Sequence, residues 1–582
     1  MKWCFIDDYD VSDYRGYSLA NLTLDQYYLN IEVAEDIDKN VYLYTLNKEC
    51  YQCPYLITNY CKGSAKECDN DLTKNIFSTD VTFRLATERT EYLPQDQTEN
   101  VICDIKEELE EFGVYNVDVN NSGCFLETLK EPVNIYAPIL TIILIYVAIF
   151  ILIYASCRLW KKIVAKKTVD RTNTEINSSA TPKKERISSL DAYRGLTILF
   201  MIFANYGQGG YTVIEHARWN GLHAADLVFP SFLWIMGACI PIGMVSNFKK
   251  NISNRDMIWT ITKRSLKLFC LGLFLNGGSD INYLRIFGVL QRLGIGYFVA
   301  AVSLVYLMQR KQNDENEEGS WWKYFKDLKR IYKAWLLALA VLILHTILIF
   351  AVAAPGCPRG YMGPGGLHKN SSYKHCVGGA TGYIDGLILG NHRYQHPTIY
   401  KTYESKPFDP EGVVGCLTTI FHIFLGVQGG MILISYKSHS QRLLRWLFWA
   451  VIPGMIGGAL CGFSKEDGFI PVNKNLWSLS FVLVTTCFSF FMLSLFYLLV
   501  DAKKWWSGKP FTFVGQNAIL LYIGHEMCDG HFPIRWYLHN YSSLTNEERR
   551  THFLALLSDT WGTGMWGLVA YYLYKIKYFF TI

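Results

Sequence analysis

Long apolar runs alternate along this chain with short polar connectors, many of them basic, and the lengths of the runs are telling. Crossing the hydrocarbon core of a bilayer as an α-helix takes about 20 mainly apolar residues. Eleven segments approach that length: 136–156, 190–208, 225–245, 258–276, 286–308, 334–354, 412–436, 446–463, 476–499, 511–527 and 553–574. The pattern predicts an α-helical polytopic membrane protein with about eleven transmembrane helices. Ahead of the first run the period changes to two. Stretches such as VYLYTL (41–46) and VTFRLAT (81–87) predict half-buried strands. Cys4, Cys50, Cys53, Cys61, Cys68, Cys103 and Cys124 crowd the same region. A small β-rich, disulfide-containing N-terminal domain accounts for both features. CYQC (50–53) also admits a zinc reading, but no second CxxC or His pair at ligand spacing accompanies it.

Charge orients these elements. Lys and Arg collect in CRLWKKIVAKKTVDR, NFKKNISNRD, QRKQNDENEEGSWWKYFKDLKR, YKSHSQRLLR, DAKKWWSGKP and the tail after YKIKY. Short basic connectors stay cytosolic. Residues 1–134, 209–224, 355–411, 464–475 and 528–550 then fall on the other, luminal side. The expected organisation is a luminal β-rich domain over 1–134, a first transmembrane helix over 135–157 and a cytosolic linker over 158–187. A transmembrane domain over 188–582 follows, with a long luminal loop at 355–411 and a cytosolic C-terminus. Sequons at Asn21, Asn120, Asn370 and Asn540 lie on the side open to glycosylation, whereas Asn177 and Asn251 lie on the silent side. A translocated domain of this length calls for a cleavable leader, and MKWCFIDDYD has no apolar core to act as one.

The chain carries +5 overall, yet residues 1–134 hold 26 Asp and Glu against 11 Lys and Arg, so the remainder carries +20. The 355–411 loop is expected to be luminal and is still basic, with Arg359, Lys369, Lys374, Arg393, Lys401 and Lys406. Its His368, His375, His392 and His396 would gain charge below about pH 6.5. Either it is a solvated loop or it is a platform for a polyanion. Cys357 and Cys376 bracket its glycine-rich stretch and are expected to pair.

Candidate chemistry concentrates in NYGQGGYTVIEHARWNGLHAADLVFP (205–230), between the second and third runs. Asn205, His216 and Asp226 converge there at one membrane face. Ionisable groups at membrane depth are costly and point to function by default. The structural alternative is an incidental loop His and an Asp at a helix N-terminus. Further polar insertions are Asp191 with Arg194, Gln291 with Arg292, Asn473–Lys474–Asn475, and His525 with Glu526. No Walker loop, GxSxG elbow or HExxH occurs, so nucleotide hydrolysis, serine hydrolysis and zinc proteolysis have no support. Neither a metal nor nucleic acid is expected as a partner.

RISSLDAYRGLTILFMIFANYGQGG, EHARWNGLHAADLVFPSFLWIMG, GVLQRLG, PGCPRGYMGPGG, GGATGYIDGLILG, FLGVQGG, EDGFIPVNKNLWSLS and YIGHE, in that order, resemble the lysosomal heparan-α-glucosaminide N-acetyltransferase family. The likeness is dense over 185–580 and looser over the cysteine-rich start. It implies a homodimeric enzyme in the lysosomal lipid bilayer that moves acetyl from cytosolic acetyl-CoA to the terminal glucosamine of heparan sulfate. On the family pattern His216 is catalytic and Asn205 its companion; Asp226 and His525 would support them. Basic residues at the cytosolic face, Arg194, Lys263, Arg264 and Lys267, suit the CoA phosphates. Asp191, Gln291, Arg292, Asn473, Lys474 and Asn475 are candidates to line the path of the carrier. His216 would serve as general base or carry the acetyl group itself. A solute transporter and a polysaccharide O-acyltransferase of similar topology are the alternatives.

Overall fold

The computed structural model describes residues 13–34, 37, 39–61, 74–168, 187–277, 280–310, 325–528 and 551–580. The N-terminal part folds into strands β1 (Asp13–Tyr14), β2 (Tyr17–Ser18), β3 (Gln26–Val33), β4 (Val41–Asn47), β5 (Tyr55–Cys61), β6 (Asn75–Ser78), β7 (Val81–Ala86), β8 (Tyr92–Leu93), β9 (Val101–Ile105), β10 (Val114–Asn120) and β11 (Gly123–Lys130). β1 and β2 pair as a two-stranded ribbon; of the two larger sheets, one has the order β11-β10-β3-β6, with β10 and β3 parallel, and the other is antiparallel, in the order β8-β5-β4-β7-β9. Alternate residues face inward, as a period of two dictates. Tyr27, Leu29 and Ile31 of β3 and Val117 and Val119 of β10 meet Val41 and Leu43 of β4 and Phe83 and Leu85 of β7 in one core. Cys103 of β9 is bonded to Cys124 of β11, which ties the two sheets together. Cys50 is bonded to Cys53, so CYQC is a disulfide rather than a zinc site. Cys4, Cys68 and the side chain of Cys61 lie outside the described residues.

Helices follow: α1 (Ala137–Thr168), α2 (Ser188–Tyr206), α3 (Val228–Lys249), α4 (Asn254–Asn276), α5 (Val289–Leu307), α6 (Lys326–Ala351), α7 (Gly379–Leu389), α8 (Ile399–Tyr403), α9 (Val413–Ser435), α10 (His439–Leu460), α11 (Leu479–Phe496), α12 (Phe511–Gln516), α13 (Ala518–Met527) and α14 (His552–Lys575). Among the described residues, seven of these are long and apolar enough to cross a membrane: α1, α3, α5, α6, α9, α10 and α11. The remaining expected segments are helical, but α2 opens on Asp191 and Arg194, α4 carries charges from Arg255 to Lys267, and 511–527 is not one helix. It breaks at Asn517, whose side chain bonds the backbone of Tyr578 (3.0 Å) and Phe580 (2.9 Å) beyond α14. The 355–411 segment is more than a loop, because it holds α7 and α8; Cys357 and Cys376 are bonded there.

Small residues set the helix spacing. A Cβ on Gly237 of α3 would lie 2.2 Å from the Ile423 carbonyl oxygen, and one on Gly426 of α9 would lie 2.2 Å from that of Trp234. The two backbones therefore touch, as small residues permit in helical membrane proteins. Gly195 of α2 and Gly515 of α12 make a second such contact.

The β domain sits on one end of the helices. Glu111 Oε2 is 2.9 Å from His552 Nε2 at the start of α14. Lys465 beyond α10 pairs with Glu49 at 2.7 Å, and Tyr51 donates to Asp467 at 3.2 Å. Cys50 and Cys53 pack with Trp219, Tyr403, Phe408 and Leu476.

Candidate active site

α2 ends at Gly207, whose φ of 119° lets the chain leave the helix axis. The chain re-enters through a 3₁₀ turn, Ala224–Leu227, that runs into α3. Asp226 in that turn is fully buried and gathers the segment around itself. One carboxylate oxygen accepts the backbone N–H groups of Ala217 (3.1 Å) and His223 (3.0 Å); the other lies 2.7 Å from His216 Nδ1. With its proton on Nδ1, toward this carboxylate, the imidazole would present Nε2 as its basic nitrogen.

Lys474 completes the cluster from 258 residues away. Its Nζ stands 2.9 and 3.2 Å from the two ring nitrogens of His216 and 3.5 Å from Asp226. Asn473 places it there. Its side chain donates to Asn220 (2.9 Å) and accepts from the Leu476 amide (2.8 Å), and the two segments form an antiparallel bridge at Asn220 and Asn473. Burial lowers the Lys474 ammonium pKa from its usual value, against the pull of Asp226 and Glu411. Burial would raise Glu411, but Arg285, 2.5 Å away, holds its carboxyl below the ordinary range.

Asn205 does not join His216. It sits at the end of α2 and donates to His525 Nε2 (2.9 Å) and Glu526 (3.3 Å), while His525 Nδ1 bonds the Leu521 carbonyl at 3.1 Å. What unites Asn205, His216, Glu411, Lys474 and Glu526 is a cavity of about 570 Å³ that all of them line. Val228, Phe232, Met236, Ile240, Met244 and Asn247 of α3 form its wall. From Val228 to Asn247 is 19 steps along the helix, about 28 Å at 1.5 Å per residue. The cavity therefore follows α3 along its whole length, with His216 and Lys474 at one end and Asn247 at the other.

The other expected residues divide by position. Arg194 lines the cavity and bonds Asp191 (3.2 Å), the Gly515 carbonyl (3.3 Å) and Cys239 Sγ (3.2 Å). Arg264 lines it from α4 with its guanidinium over the Tyr297 ring. Lys263 and Lys267 are exposed on the outer face of α4, Lys263 over Trp259. Gln291 is buried against Gly272, and Arg292 bonds the Gly412 carbonyl at 3.0 Å and stacks on Trp477. Asn475 caps the Arg218 carbonyl at 3.3 Å. Glu411, Tyr522 and Arg285 went unnoticed as site residues in the sequence. FDPEG was the available signal for the first, but its charges read as part of a polar loop.

A family model described as a protein of unknown function, DUF418, matches residues 431–556. A curated heparan-alpha-glucosaminide N-acetyltransferase of Mus musculus is 34% identical over 603 residues, covering 97% of this chain and 90% of its own. Its Homo sapiens counterpart is 35% identical over 611 residues, covering 97% and 89%. The chain is an acetyltransferase, and it belongs to the heparan-alpha-glucosaminide N-acetyltransferase family.

Proposed function

We propose that this enzyme takes acetyl-CoA from the cytosolic side of the lysosomal membrane and acetylates the terminal glucosamine amine of heparan sulfate in the lumen. On this reading it spans the bilayer eleven times as a homodimer, with the β domain luminal and the C-terminus cytosolic. A cavity that runs the length of α3 and ends on the Asp226–His216 pair carries the reading. A carrier confined to one membrane face and an acceptor confined to the other need such a passage. The apolar wall of α3 suits a flexible thioester arm, and Arg194 and Arg264 suit anionic phosphates. The contacts of the β domain support the orientation. It touches the segments after α2 and α10 and the start of α14, all on the side that the charge pattern makes luminal.

His216 Nε2 takes a proton from the glucosamine nitrogen as that nitrogen attacks the thioester carbonyl carbon. The C–N bond forms, the C–S bond breaks, and the imidazolium returns the proton to sulfur, so CoA leaves as its thiol. The Lys474 ammonium, beside His216, is the donor at hand for the developing oxyanion; the Asn205 amide, which gives its N–H groups to His525 and Glu526, would have to release one of them to join it. Incubating the purified protein with labelled acetyl-CoA and glucosamine tests the reading. N-acetylglucosamine is the expected product; an O-acetylated sugar, or no product, refutes it.

A further inference from the structure

A second cavity, of about 450 Å³, opens beside the first, and no membrane-capable helix contributes to it. Five segments build it: the β4–β5 turn with Tyr51 and Gln52, the stretch after His216 with Trp219 and Asn220, residues 358–373, Tyr403 at the end of α8, and residues 466–471. Two things distinguish it from a crevice between domains. Its wall is ring-rich: Tyr361 lies 5.3 Å from Tyr373, Tyr51 stacks with His368 at 6.3 Å, and Phe469 is 72% exposed. Such side chains offer an apolar face with a polar tip, which matches the mixed faces of a sugar ring. Its rim carries Arg359 and Lys369, both exposed, while burial pushes His368 down to about 4 and keeps it neutral even in an acidic compartment.

Its position ties it to the chemistry. Asn220 lines this cavity and His216 the first, four residues apart and so at most about 14 Å along the chain. On the facing segment Pro471 lines this cavity and Lys474 the first, three residues apart, and the Asn220–Asn473 bridge joins the two segments. The cavities are two sides of one wall.

We propose that this ring-lined, cation-rimmed cavity is an acceptor subsite for the sulfate- or carboxylate-bearing sugars that follow the reacting glucosamine. The inference rests on the activity proposed above and adds to it where the rest of the acceptor lies. Contacts remote from the reacting centre raise kcat/KM only for acceptors long enough to make them.

The test compares free glucosamine with a sulfated oligosaccharide ending in glucosamine, using the full-length enzyme and acetyl-CoA. The wild-type enzyme should prefer the oligosaccharide. Arg359→Ala/Lys369→Ala should lower kcat/KM for it roughly tenfold and leave free glucosamine unchanged. Tyr373→Ala should do the same for a desulfated oligosaccharide. Lys374→Ala/Arg393→Ala, outside the cavity, should change neither. Equal kcat/KM for both acceptors in the wild type overturns the subsite while leaving the activity intact. So does a preference that survives the Arg359/Lys369 change, or one that the Lys374/Arg393 change removes equally. Equal losses on both acceptors assign these residues to the fold instead. If the wild type acetylates no glucosamine at all, the proposed activity falls and the subsite with it.

Discussion

His216 touches a carboxylate and an ammonium, both nearest its Nδ1; backbone N–H groups hold the carboxylate, and the Asn220–Asn473 pairing positions the segment that carries the ammonium. That geometry assigns separate consequences to separate changes. His216→Ala should abolish acetyl transfer and leave acetyl-CoA binding largely intact, since the guanidinium groups that suit the phosphates lie elsewhere along the cavity. Asp226→Asn keeps the ring but loses the acceptor that fixes its tautomer, so kcat should drop by about 10²–10⁴. Asn205→Ala should lower kcat by about 10²–10³ with less effect on KM if its amide meets the oxyanion. Mixing enzyme with labelled acetyl-CoA alone should release no free CoA and label no histidine. A labelled imidazole at His216, formed fast enough to account for turnover, would replace the general base by an acetyl-enzyme.

Helix packing and cavity lining make different demands on glycine, and the two can be told apart. Gly426 of α9 has the Trp234 carbonyl where a Cβ would go, whereas a Cβ on Gly243 of α3 would meet nothing within 4 Å, and Gly243 lines the cavity. Gly426→Val should therefore cost about 1–3 kcal/mol by overpacking, seen as a lower melting temperature. Gly243→Leu should keep the melting temperature and raise the KM for acetyl-CoA. An unchanged KM would mean that the carrier does not run along α3. At this scale the sequence was legible wherever the information was local. Apolar run length located the helices, although α1 continues 12 residues past its run and α6 and α10 begin eight and seven residues before theirs, because those helix ends are charged; the His216–Asp226 pair emerged because both lie in one short connector. The break at Asn517 was hidden because its partners, Tyr578 and Phe580, are some sixty residues on. α7 was hidden because GATGYIDGLIL is only 11 residues long and sits in a run of loop residues. Lys474 drew notice as a polar insertion, but nothing near it in the chain says that it meets His216.

Across the whole molecule, sidedness and docking are linked. The proposed orientation predicts glycans on Asn21, Asn120, Asn370 and Asn540, the last outside the described residues, and none on Asn177 or Asn251. Mass spectrometry that found one on Asn251 would reverse it. In that orientation the β domain would meet acid, and its contact with the helices holds a group that titrates there. Asp25, Glu111 and His552 bring their ligand atoms within 4.8 Å of one another. The imidazole bonds the Gly209 carbonyl through Nδ1 (2.7 Å) and faces Glu111 through Nε2. Burial would lower the His552 imidazole, but the Glu111 carboxylate beside it raises it. Burial, and then repulsion from Glu111, raise Asp25 to about 6, with His552 opposing. Because this carboxyl holds its proton more tightly when folded than in the free chain, the folded form binds more protons between roughly pH 4 and 6. Stability must then rise as pH falls through that window and be lower at neutral pH. Thermal unfolding at pH 7 and pH 5 should show the higher melting temperature at pH 5, and Asp25→Asn, which cannot ionise, should shrink the difference chiefly by raising the value at pH 7. A melting temperature that is flat or falling from pH 7 to pH 5, or a pH dependence untouched by Asp25→Asn, would remove the cluster from any part in holding the domain in acid.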